Sequence, residues 1–411
     1  MKKYFVFAAA TLVALAACTK VETDETPAKK ISFQIASYSA QTKGAEDAVE
    51  LTETTSFSSK AWLHANGTAG TNFFGTSDNN WTETITRNPT AESSSYTWEP
   101  SLEYFWPKAS NSYINFISWY ATAGKDPAVP DETHMNWGSS SNALTIEGTD
   151  NFLFADEAWR YSDNATSTYS NKVSTGVPTL FHHALAKLAF NVRLSTKTAS
   201  TKTIWDVDIK NVSIVVGNKG YLNLINEDKT TKGIQPWKIG TTYSTGAAAT
   251  SANYGWTAVS GTETIVETTS STESGVTKEA TLPSTMTLKP YEATSSAPAT
   301  SGDFQTLLAE RTVMPQTISG GVATFAMTFT IKLFHANEST HEKVGAAYST
   351  EDITISATNL SSLSDLITAW NMNTKITYNV TIDPVGKKVL FDPAVADWAT
   401  TSAEKEIYSA Q

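Results

Sequence analysis

Residues Ala323–Phe334 read ATFAMTFTIKLF. Phe325, Met327, Phe329, Ile331 and Leu333 fall on one side of an extended chain, with Thr324, Thr328, Thr330 and Lys332 on the other. Side chains alternate across a β-strand, so this pattern predicts a strand with one buried and one solvated face. The same alternation recurs in LAKLAFNVRL, where Leu188, Phe190, Val192 and Leu194 oppose Lys187, Asn191 and Arg193. It recurs again in NVSIVVG through Val212, Ile214 and Val216, and in TKITYNVTID through Ile376, Tyr378, Val380 and Ile382. In YINFISWY (Tyr113 to Tyr120) both faces read as half buried. Such strands predict an all-β architecture of antiparallel sandwiches. Helix is confined to NLSSLSDLITAW, where Leu360, Leu363, Leu366, Ile367 and Trp370 keep helical spacing behind Asn359 or Ser361 as N-cap.

With 411 residues the chain is long enough for two ordinary domains. A net charge of -11 with only 17% charged residues argues against nucleic acid and against a basic membrane-binding surface. Ser, Thr, 12 Trp and 15 Tyr stand in place of charge, which suits β-structure. The single cysteine, Cys18, makes no internal disulfide and no metal cluster. In front of it, Lys2 and Lys3 precede an apolar run from Tyr4 to Ala17, the three-part plan of a secretory signal. That run is shorter than the roughly 20 residues a bilayer span needs.

Beyond Cys18 the chain from Thr19 to Lys30 is polar and reads as a flexible tether. A first strand is predicted at Ile31 to Ala36, with Ile31, Phe33 and Ile35 alternating with Ser32, Gln34 and Ala36. The polar gap Ser39 to Glu50 follows and contains Lys43 and Gly44 in an open, protease-accessible context. Gly240 to Ser274 reads as surface loop or insertion, and Ser195 to Lys202 as a domain boundary.

No glycine pattern marks a nucleotide site and no GxSxG elbow is present, so neither a cofactor nor a catalytic residue is predicted. Adjacent His182 and His183 would point to opposite faces of a strand, which prevents joint ligation of one metal. Asp156-Glu157 and Glu351-Asp352 read as solvated loop acids rather than a glycosidase pair. Trp106, Trp119, Trp370 and Trp398 stand beside strand patterns and read as core. Trp81, Trp98, Trp137, Trp159, Trp237 and Trp256 lie in polar surroundings, where exposed indoles would form a platform for sugars.

LAAC, ending at Cys18, resembles the signal of bacterial lipoproteins, which implies cleavage before Cys18 and its acylation. Acyl chains contribute about 0.8 kcal/mol per buried CH₂, enough for several chains to hold the protein on the outer membrane. Glu22, Asp24 and Glu25 resemble the export signals of surface lipoproteins in Bacteroidetes. Further segments, in order, resemble the fimbrillin family of Bacteroidetes, the type V pilins that include the FimA-like and Mfa-like proteins. They are YFWPKASNSYINFISWY (Tyr104 to Tyr120), FHHALAKLAFNVRL (Phe181 to Leu194), WNMNTKITYNVTI (Trp370 to Ile382) and VLFDPAVADW (Val389 to Trp398).

The resemblance implies two tandem transthyretin-like β-sandwich domains, at 44–198 and 199–411, after a signal at 1–17 and a lipidated segment at 18–43. It implies cleavage after Lys43, leaving Gly44 first; the family usually has Arg at that position. Loss of the first strand, with Ile31, Phe33 and Ile35, would open a groove that a strand of another subunit fills. The donor would be the tail after Trp398, where Ile407 and Tyr408 give a weak apolar pattern on opposite faces. The expected role is a structural, non-enzymatic subunit, of the stalk, in a cell-surface fimbria supporting adhesion. Its expected partners are other subunits, of its own or another kind, and host or bacterial surface ligands. A tip or anchor subunit is the first alternative. The alternative of another class is an outer-membrane glycan-binding lipoprotein.

Overall fold

The computed structural model describes residues 30–36, 56–65, 68–87, 98–107, 112–128, 130–161, 176–195, 202–226, 234–235, 237, 255–267, 286–288, 304–318, 322–340, 342–363 and 367–397. Almost all ordered secondary structure among them is β. The first half supplies β1 (Phe33–Ala36), β2 (Ser56–His64), β3 (Thr71–Asn72), β4 (Glu83–Arg87), β5 (Trp98–Pro100), β6 (Tyr113–Ala121), β7 (His134–Trp137), β8 (Leu144–Thr145), β9 (Phe152–Ala155), β10 (Glu157–Tyr161) and β11 (Val177–His183). The second half supplies β12 (Ala186–Leu194), β13 (Thr203–Gly217), β14 (Lys219–Ile225), β15 (Ile234–Gln235), β16 (Gly255–Ala258), β17 (Thr262–Glu267) and β18 (Met286–Leu288). It continues through β19 (Gln305–Val313), β20 (Gln316–Thr317), β21 (Thr324–Ala336), β22 (Lys343–Asn359), β23 (Ala369–Trp370), β24 (Thr374–Asp383) and β25 (Lys388–Asp397).

In the first half β6, β9, β11, β1, β5, β4 and β2 are hydrogen-bonded in that order, and β2 returns to β6. The ring closes, so this half is a seven-stranded barrel and not the open sandwich expected. The closure comes from β6, which pairs with β2 along one edge and with β10 and then β9 along the other. Ile31, Phe33, Phe57, Ala61, Ile85, Ile114, Phe116, Val177 and Phe181 fill the interior. Along β6, Ile114 and Phe116 belong to this interior, while Ile117 and Trp119 join a second core outside it. Both faces of YINFISWY are thereby buried, as its sequence predicts.

The second half is a sandwich. The sheet β19-β12-β24-β25 faces the sheet β17-β13-β21-β22 across one core. Leu188, Phe190, Val192, Ile376, Tyr378 and Val380 come from the first sheet; Val212, Ile214, Phe325, Met327, Phe329 and Ile331 come from the second. The alternating residues of the opening stretch therefore form the inner face of β21. The expectation of purely antiparallel pairing fails at β12 and β24, which run parallel from Lys187↔Lys375 to Leu194↔Ile382. These strands are far apart in sequence, and the intervening chain is ample for the crossover that parallel strands require.

A smaller sheet, β16-β14-β7, joins the halves. Its Leu222, Leu224, Trp137 and Trp256 share a core with Trp62, Ile117 and Trp119 of the barrel wall. Gly240 to Ser274, expected as loop, contains β16 and β17; burial of Trp256 against Phe152 holds β16 in place. Of the helix expected through Trp370, the described residues hold Leu360–Leu363, and Ala369 and Trp370 pair instead with Gln316 and Thr317. The junction expected at 198/199 lies outside the described residues. β12, on its N-terminal side, shares one core with the strands that follow it.

Candidate functional site

β1 is a stave of the barrel. Its Phe33 to Ala36 pair in parallel with Val177 to Leu180 of β11, and Phe33 pairs antiparallel with Trp98 of β5. Among the described ring strands this is the one parallel pair. Just ahead of β1, Ile31 N–H donates to Tyr104 O at 2.8 Å and Val177 N–H donates to Ser32 O at 2.8 Å. Lys30 forms an exposed ion pair with Glu103.

The alternation read from the sequence is realised. Ile31 and Phe33 are each 2% exposed, Ile35 is half-buried against the same core, and Gln34 faces solvent. Phe33 sits in an aromatic cage, with ring centroids 5.7 Å from Phe57, 6.2 Å from Phe74 and 5.6 Å from Phe116. Burying each such side chain stabilises by about 1.5–3 kcal/mol. Backbone fit is equally close at Gly176, which has φ +88° and whose missing Cβ would stand 3.1 Å from Ser32 O.

The segment that receives the start of β1 is itself anchored. Tyr104 Oη donates to Glu83 Oε2 at 2.7 Å and accepts from Gly75 N–H at 2.8 Å, while Ser101 Oγ donates to Glu83. Burial, reinforced by Glu83, pushes the Tyr104 hydroxyl up to about 12. The sequence marks Phe116 and Tyr104 within an aromatic stretch, but no local signal singles out Phe57, Phe74, Glu83 or Gly176. Their role depends on ring closure.

The other candidates separate. Cys18, Lys43, Gly44, Ile407, Tyr408 and Trp398 lie outside the described residues. His183 is fully buried and His182 Nε2 lies 3.1 Å from Asp156 Oδ2, so the two imidazoles do part to different surroundings. Asp156 and Glu157, expected as solvated loop acids, are 6% and 2% exposed. Glu157 accepts from Asn115 Nδ2 and Asn226 Nδ2, both at 2.8 Å, a link from the barrel wall to the end of β14. Glu351 and Asp352 are exposed as expected, but on β22 rather than in a loop.

Trp106, Trp119 and Trp370 are core. The expectation of exposed indoles is corrected for Trp98, Trp137, Trp159, Trp237 and Trp256, each at most 5% exposed. Trp98 packs on Phe57 in the barrel core and Trp159 stacks on Tyr113, while Trp137, Trp237 and Trp256 lie in the core shared with the small sheet, Trp237 and Trp256 donating to the carbonyls of Ala155 and Ala184. Trp81, at 37%, is the exposed one of these six. Among the described residues no helix is long and apolar enough to cross a membrane.

No family profile matches the chain, and no curated protein matches it. Solved structures similar to it include a fimbrial protein of Bacteroides vulgatus, with 15% identity over 90% of this chain and 99% of that one, at a TM-score of 0.47. Another is a candidate cell adhesion protein of Bacteroides ovatus, with 12% identity, coverage of 92% and 100%, and a TM-score of 0.35. A third is a candidate polysaccharide-binding protein of Bacteroides thetaiotaomicron, with 8% identity, coverage of 92% and 99%, and a TM-score of 0.33.

Proposed function

We propose that this chain is a non-enzymatic subunit of a cell-surface fimbria, exported as an outer-membrane lipoprotein through Cys18 and assembled by exchange of its first strand. The observation that carries the reading is the place of β1. The strand nearest the lipidation signal is an integral stave of the barrel, held by backbone pairing on both sides and by burial of Ile31 and Phe33. Cleavage after Lys43 would separate this stave from the rest of the chain. Its loss would leave the facing edges of β5 and β11 unpaired and the rings of Phe57, Phe74 and Phe116 uncovered. An open edge beside an apolar slot is a template for a strand from another chain.

In this reading the barrel and the sandwich are the two tandem units, with β12 belonging to the second, and the region of Ile407 and Tyr408 is the segment donated onward by a stalk subunit. The glycan-binding alternative loses its main support with the burial of five of its six tryptophans. The experiment is replacement of Lys43 by Gln in the cells that make the protein. The variant should stay membrane-bound and be missing from sheared fibres; wild-type incorporation into those fibres would contradict the proposal.

A further inference from the structure

The β1 position makes a definite demand on whatever strand occupies it. In the register of β1, the residue at the Ile31 place is 2% exposed and must be apolar. The next place, that of Ser32, is partly exposed beside Gly176. The residue at the Phe33 place meets three rings and must be large and aromatic to fill their cage. The Gln34 place is exposed and free, and the Ile35 place is again apolar.

Run in the direction of β1, residues 399–411, ATTSAEKEIYSAQ, do not meet this demand. Tyr408 in the aromatic cage puts Glu406 in the buried Ile31 place. Ile407 in the cage puts Lys405 there. Ile407 in the Ile31 place puts Ser409 in the cage and leaves a void among the rings. A charge buried without a partner is strongly unfavourable, and an underfilled core is destabilising.

We infer that the β1 slot is selective for sequence: it rejects residues 399–411 and takes a strand that matches the burial pattern of β1. That strand presents apolar, aromatic and apolar residues at alternate places, those of Ile31, Phe33 and Ile35. The inference rests on the reading that β1 is exchanged. The sequence of the incoming strand then selects the neighbour at this joint.

The test uses the full chain, cut after folding by a trypsin-like protease within residues 37–55, with fluorescent peptides offered in trans. A peptide of Lys30 to Ala36 should displace the cut strand. The peptide of residues 399–411 should need at least 100-fold more, and its Glu406→Ile version should recover at least 30-fold. A 399–411 peptide that competes within threefold of the β1 peptide overturns this inference while leaving strand exchange intact. A cut chain that retains its own strand and admits no peptide overturns both. If cutting unfolds the barrel, the uncut Phe33→Ala chain serves instead. Its melting temperature should rise with the β1 peptide and not with the 399–411 peptide, and an equal rise with both overturns the inference.

Discussion

Phe33 meets Phe116 edge-on, with ring centroids 5.6 Å apart and planes at 82°. One residue lies on the first strand and the other near the middle of β6, so the contact crosses the barrel interior. Edge-to-face pairs add about 0.5–1.5 kcal/mol beyond the area they bury. The first strand is therefore part of the core, and removing it exposes the barrel interior.

Phe33→Ala should cost about 3–5 kcal/mol of unfolding free energy, the range for a buried aromatic truncated in a packed core. Gln34→Ala, on the solvent side of the same strand, should stay within about 0.5 kcal/mol. Denaturant titration of the full chain measures both, and equal effects would contradict the placement of β1.

Gly176→Ala should destabilise by more than about 1 kcal/mol. Its φ of +88° disfavours any side chain, and the added Cβ would press on Ser32 O. The same substitution should speed release of the cut β1 strand, read as a faster loss of labelled peptide.

Glu157→Leu removes the carboxylate that accepts from Asn115 and Asn226. A buried donor left unpaired costs about 1–3 kcal/mol, so the loss should exceed that of a surface acid such as Glu351 several-fold. Because Asn226 directly follows β14, the variant should also raise amide exchange in β14 and β7.

Stability should fall between pH 10 and 12. Burial raises the Tyr378 hydroxyl to about 12 from 10.0, with Trp370 Nε1, donating at 3.1 Å, pulling weakly the other way. The unfolded chain loses this proton near pH 10 while the folded chain keeps it until about pH 12. Stability is therefore full below pH 10 and declines through that window, by on the order of 2–3 kcal/mol for this group. Tyr378→Phe should flatten the decline in an alkaline unfolding series, whereas an unchanged slope would contradict the assignment.

The alternation in ATFAMTFTIKLF and TKITYNVTID was enough to place both inner faces of the sandwich, because each strand has one wet side. It was also enough to mark Ile31, Phe33 and Ile35. Closure of the barrel was not legible, since it depends on β6 pairing along both edges, a non-local arrangement that leaves no local pattern. For the same reason Trp137, Trp159 and Trp256 read as exposed: their neighbours in sequence are polar, and their cover comes from strands distant in sequence. Asp156 and Glu157 misled in the same way, because their partners His182, Asn115 and Asn226 lie on other strands. Gly176 carried no signal, as its constraint is the close approach of β1.

The most direct test of the account is the N-terminal residue of the protein taken from the cell surface, determined by intact mass and peptide mass spectrometry. Strand exchange predicts a chain beginning at Gly44, with the lipid of Cys18 and the strand carrying Phe33 gone. A surface population that begins at acylated Cys18 and retains Phe33 would contradict it.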